Sequence, residues 1–147
     1  MTAVVKHKNQ MRMIFDAWEE NVGVARVTSA SFAGQLDFTL AELEEIKVAV
    51  SEAVSNAVIH AYPNRMGQVE LSMVIEDSSV VYEVRDHGIG IADVEKAREA
   101  DFSSQTERMG MGFVFMESFM DSVTVESVVD QGTVVRMVKS CSPITLQ

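Results

Sequence analysis

Glu52, Asn56 and His60 recur at intervals of four within the stretch Ser51 to Tyr62, SEAVSNAVIHAY. On a helix that spacing stacks a carboxylate, a carboxamide and an imidazole into one polar ridge that drifts slowly round the axis. An amide oxygen can ligate a hard cation, and a carboxylate one turn away can orient a nucleophile or accept its proton. A polar ridge is also the ordinary solvated face of an amphipathic helix, so the chemical reading draws on the rest of the chain. Two glycine turns downstream add to it. Arg85-Asp86-His87-Gly88-Ile89-Gly90 places a carboxylate at a predicted strand end before two glycines that permit close backbone approach. Gly110-Met111-Gly112 leads into an apolar stretch, Phe113 to Met120, and glycines ahead of a helix can present free amides to phosphate. Neither turn is a P-loop, because no Lys-Ser/Thr pair follows the glycines, and neither has the strand-turn-helix context of a dinucleotide fingerprint.

The elements that must hold these groups follow from hydrophobic period. Leu43, Ile46, Val50, Ala53, Val54, Ala57, Val58 and Ala61 keep helical spacing behind the ridge. Thr39 followed by Glu42 forms a capping box that starts this helix, and Pro63 ends it near Tyr62. Before it, Met11, Met13 and Phe15 suggest an edge strand, and Val22, Ala25, Phe32, Ala33 and Leu36 a first helix over residues 21–36. Arg26 sits beside that stripe. Val69, Leu71, Met73 and Ile75 alternate with polar neighbours, and Val80, Tyr82 and Val84 answer them across Asp77-Ser78-Ser79, which predicts an antiparallel hairpin ending at Asp86. Residues 94–100 suggest a short helix, residues 101–109 a polar loop or lid, and residues 122–129 and 133–139 two closing strands. The expected fold is α+β, a two-layer sandwich with helices on one face of a mixed, mainly antiparallel sheet.

With 147 residues, 47% of them hydrophobic, the chain is expected to form one domain over 1–147 with its core at about 10–139. Twelve basic against twenty-two acidic residues give a formal charge of −10, which disfavours nucleic acid as a direct ligand and suits a basic protein partner. The single Cys141 fits a reducing compartment, and the sequence has neither a signal core nor a run long enough to span a bilayer. A cytoplasmic protein without a membrane partner is expected.

The order of motifs, a helix with Glu52 and Asn56, a strand ending in Asp86-x-Gly88-x-Gly90, a lid and then Gly110-x-Gly112, resembles the ATP-binding fold shared by gyrase, heat-shock-90 chaperones, histidine kinases and MutL. Within it, Ala25-Arg26-Val27-Thr28, Ser51-Glu52-Ala53-Val54, Asn56-Ala57 and Gly110-Met111-Gly112-Phe113 are similar to the bacterial anti-sigma F factor family, small serine kinases of sporulation. The resemblance implies ATP and Mg2+ as cofactors, a sigma factor as the inhibited partner, an anti-anti-sigma protein phosphorylated on serine, and a homodimer. It implies Glu52 as catalytic base, Asn56 as magnesium ligand, Asp86 as the adenine anchor with Gly88 and Gly90 beside it, and Thr133 near the base. Arg108 would reach the terminal phosphate, Gly110, Met111 and Gly112 would line the phosphates, and Arg26 would touch protein partners. Gln105, Met109 and Ala61 depart from the family pattern, and His60 is assigned to packing or helix-end hydrogen bonding. A general stress-response anti-sigma kinase, or a nucleotide-gated sigma binder with vestigial catalysis, are the alternative readings.

Overall fold

The structure is a computed structural model that describes residues 8–99 and 105–141; the side chains of residues 105–108 are outside that description. The expected edge strand is β1, Lys8–Asp16, followed by α1, Glu20–Ala33, and α2, Leu40–His60. The hairpin is β2, Gln68–Glu76, and β3, Ser79–Asp86. A single turn, α3, Val94–Ala97, and a long helix, α4, Gln105–Phe119, lead to β4, Ser122–Val128, and β5, Gly132–Ser140. The strands lie in the order β1-β2-β3-β5-β4. All four pairings are antiparallel, in line with the mainly antiparallel sheet expected, and no parallel pair occurs among the described strands.

Alternation in the strands decides which face is buried. Val69, Leu71, Met73 and Ile75 of β2 and Val80, Tyr82 and Val84 of β3 lie under the helices, and Glu70, Ser72, Glu83 and Arg85 point the other way. Carried two residues past Val84, the same period turns Asp86 inward, where it is 7% exposed. From the helix layer Ala25, Phe32, Ile46, Val50, Val54, Phe113 and Met116 close the core. Tyr82 is fully buried, and its hydroxyl donates to the carbonyl of Ser29 at 2.7 Å, tying β3 to α1. Among the described residues, no helix is long and apolar enough to cross a membrane.

The capping box read from Thr39 and Glu42 is formed in both directions: the Glu42 amide donates to Thr39 Oγ1 at 3.1 Å, and the Thr39 amide donates to Glu42 Oε1 at 2.9 Å. It fixes the start of the helix that carries Glu52 and Asn56. Thr39→Ala is expected to lower stability by about 1 kcal/mol without touching the site, which urea unfolding would read as a lower midpoint at unchanged slope.

One element differs from expectation. Helix α4 does not begin after Gly112 but at Gln105, so Gly110, Met111 and Gly112 lie inside it, beyond its first turn. The reason is visible in the buried stripe. Met109, Phe113, Met116 and Met120 are all buried at helical spacing, so the apolar period starts one turn earlier than the glycines suggest. Lys139, buried on β5, donates to Glu45 of α2 at 3.1 Å and to the Phe119 carbonyl, closing the other end of α4.

Candidate active site

The C-terminal half of α2, the end of β3 and the start of β5 enclose a cavity of about 430 Å3 with α3 and α4. Asn56, Asp86, Gly90 and Thr133, four of the residues singled out in the sequence, line it. Asp86 and Thr133 are register partners on β3 and β5 and face the same side, so a buried carboxylate and a buried hydroxyl stand together. One oxygen of Asp86 accepts from the Gly88 amide at 3.0 Å. Burial raises the pKa of Asp86, against the opposing pull of hydrogen bonds from the Gly88 and Thr133 amides and of nearby His87.

Gly88 is needed for a reason that sequence reasoning did not find. A Cβ at that position would lie 2.1 Å from the Ala61 carbonyl oxygen, and the next amide, that of Ile89, donates to the same carbonyl at 2.9 Å. The turn after Asp86 is therefore seated on the C-terminal end of α2. That fixes the carboxylate at the end of β3 relative to the ridge on α2.

Glu52 and Asn56 meet α4 at Gly112. A Cβ on Gly112 would lie 3.0 Å from Glu52 Oε2, 3.3 Å from Asn56 Nδ2 and 3.5 Å from Asn56 Oδ1. The glycine lets the α4 backbone press against the ridge, in place of the free phosphate-facing amides expected of a turn before a helix. Burial raises the pKa of Glu52. The Asn56 side chain carries a buried amide nitrogen with no hydrogen-bond partner among the described residues, beside the cavity. In a folded protein such an orphan is costly unless something outside the chain completes it. Among the described residues, no group of three or more His, Cys, Asp or Glu could hold a metal ion. A cation at Asn56 would thus take one amide oxygen from the chain and the rest of its shell from phosphate and water, a donor set that fits magnesium at a nucleotide site.

Gly110 and Met111 are on α4 outside the cavity lining, Arg26 is exposed on α1 away from it, and Arg108 is in the first turn of α4 with its side chain outside the description. His60, at the last turn of α2, lines the cavity. Two positioning residues escaped the sequence reading. Ser127 Oγ lies 2.8 Å from Thr133 Oγ1 and accepts from the Ile91 amide at 2.7 Å. The Tyr62 hydroxyl donates to the Gln68 carbonyl at 2.7 Å and accepts from the His87 amide at 2.8 Å, holding the residue after Asp86. A serine in an alternating strand and a tyrosine past a helix end give no signal of these contacts in sequence.

A two-layer fold with this cavity between helices and sheet is that of the histidine kinase-like ATPase domain, whose family profile matches residues 9–139. Among solved structures, the RsbU and RsbW domains of Rv1364c from Mycobacterium tuberculosis align with a TM-score of 0.65 at 17% identity, over 90% of this chain and 32% of that one. The histidine kinase domain of the blue-light activated histidine kinase EL346 from Erythrobacter litoralis aligns with a TM-score of 0.57 at 20% identity, over 83% and 60%. At those identities the likeness concerns the fold alone. Sequence relatives are closer. The anti-sigma F factor of Bacillus velezensis is 50% identical over 138 residues, 92% of this chain and 94% of the relative. That of Clostridium acetobutylicum is 52% identical over 134 residues, 90% and 94%, and that of Bacillus subtilis 49% over 138 residues, 92% and 94%. The chain belongs to the anti-sigma F factor family within the histidine kinase-like ATPase domains.

Proposed function

We propose that the protein is an anti-sigma factor that binds and inhibits a sporulation sigma factor and, as a protein serine kinase, uses Mg-ATP to phosphorylate a serine on an anti-anti-sigma partner. The observation that carries this reading is the convergence of Glu52 and Asn56 on Gly112, with Asn56 lining the cavity that the buried Asp86 and Thr133 line and Glu52 one helical turn away from it, outside the lining. Asp86 accepts from the adenine amino group, with Thr133 next to it and Gly88 and Gly90 keeping the turn close to the base. Asn56 Oδ1 holds the cation, which when bound supplies charge neutralisation on the transferring phosphoryl group. Arg108 is assigned to the phosphate end, and Gly112 sets the spacing between α4 and the ridge, while Gly110 and Met111, inside α4 and outside the cavity lining, are given no phosphate contact. Glu52 has the same sign as phosphate oxygens and is a poor ligand for them, so its role is to orient the partner serine and take its proton. Burial, by raising the pKa of Glu52, moves it in the direction that suits a base working near neutrality.

The sigma-binding role is supported by family membership and by the acidic chain, charge −10, which favours a basic partner surface. A cytoplasmic homodimer is the assembly the resemblance implies. Arg26 is exposed between Val24 and Val27, which are 55% and 62% exposed, on the outer side of α1. We assign this face to protein partners. Arg26→Ala is expected to leave ATP affinity unchanged and to weaken capture of the sigma factor or its antagonist in a pull-down. Normal capture of both would remove Arg26 from the interface.

Transcription in vitro tests the inhibitory role. Added to RNA polymerase carrying the sporulation sigma factor, the protein with ATP should suppress transcripts from that factor's promoters and spare those of the housekeeping holoenzyme. Undiminished transcription at saturating protein would overturn the anti-sigma assignment.

A further inference from the structure

We propose that Lys96, on α3, binds the phosphate groups of the nucleotide, an inference that rests on the nucleotide reading of the cavity. Lys96 lines the cavity, and no other lysine or arginine with a described side chain does. Two carboxylates, Asp86 and Asp93, also line it, and the whole chain carries a net charge of −10. A polyphosphate entering that field meets repulsion unless a fixed cation offsets it.

Pairing among the described lysines singles out the same residue. Lys8 pairs with Glu76, Lys47 with Glu44 and Lys139 with Glu45. The ammonium of Lys96 has no hydrogen bond or ion pair among the described residues. The nearby carboxylate of Asp93 is engaged elsewhere: it caps α3 by accepting from the Lys96 amide at 3.1 Å. That cap fixes the backbone turn from which the lysine extends. Ala97, the next residue, is buried in the core, so the turn is anchored while Lys96 itself stays exposed at the cavity. A lysine is a flexible point charge with three donors and needs no bidentate geometry to take phosphate oxygens.

Calorimetry on the full chain tests this with three ligands, ATP with magnesium, ADP with magnesium, and adenosine, on the parent, Lys96→Gln and Lys96→Arg. The exposed position makes both variants foldable, and adenosine binding reports the integrity of the base end in the same samples. Lys96→Gln is expected to lower ATP and ADP affinity about five- to tenfold, to leave adenosine affinity unchanged, and to flatten the salt dependence of ATP binding. Lys96→Arg should restore most of the loss. Equal losses for adenosine and ATP, or no loss for either, would overturn the proposal. If the parent itself binds none of the three, the nucleotide reading falls and this inference with it.

Discussion

Glu52→Gln is expected to slow phosphoryl transfer to the partner serine at least about a hundredfold while leaving ATP affinity and sigma capture intact. The substitution keeps the side chain's shape against Gly112 but replaces the anionic carboxylate with a neutral amide that cannot take the proton. The pH dependence sharpens the expectation. Because burial raises the pKa of Glu52, the parent's rate should rise with pH through an apparent value above the ordinary glutamate range, and that limb should vanish in the variant. Stability should move the opposite way. Between the ordinary and the raised value the folded state keeps a proton that the unfolded state releases, so the Glu52 contribution falls as pH rises through that window. Above it the glutamine variant should be no less stable than the parent. A variant that is equally well folded and binds ATP, yet transfers phosphate slowly, cannot be explained by a structural role for Glu52. Stopped single-turnover assays across pH would check both parts.

Asp86→Ala is the second large effect, about ten- to a hundredfold lower ATP affinity by calorimetry, from the loss of one charge-assisted hydrogen bond. The carboxylate is buried, and its own hydrogen bond from Gly88 orients it, so the acceptor is preorganised and costs little to align on binding. The raised pKa adds a direction: acidification should release nucleotide as Asp86 protonates, at a pH above the ordinary aspartate range. Unchanged ATP affinity in a folded Asp86→Ala protein would discard the adenine assignment.

The polar ridge on α2 and the period that turns Asp86 inward were legible because both are local. A four-residue recurrence and a two-residue alternation fix direction once the element type is known. The capping box at Thr39 was legible for the same reason. The start of α4 was not, because glycines usually argue for a turn, and the helix runs through them on a stripe of core residues, Met109, Phe113 and Met116, that only the fold shows to be buried. Gly88 was assigned to the base alone because its clash partner, the Ala61 carbonyl, is 27 residues earlier in sequence and touches it only in the fold. Ser127, Tyr62 and Lys96 share that limitation. Each is an unremarkable residue type whose role comes from what the β4-β5 hairpin, the α2 end or the α3 turn brings beside it.

The central claim, that Glu52 and Asn56 form a phosphoryl-transfer site for a protein serine, is tested most directly by following the phosphate. The protein is mixed with magnesium, ATP labelled in its terminal phosphate and the unphosphorylated anti-anti-sigma partner, and the label is located after one turnover. We predict label on a single serine of the partner, in the parent but not in Glu52→Gln. Label that stays on the nucleotide, or appears only as inorganic phosphate, would contradict the account.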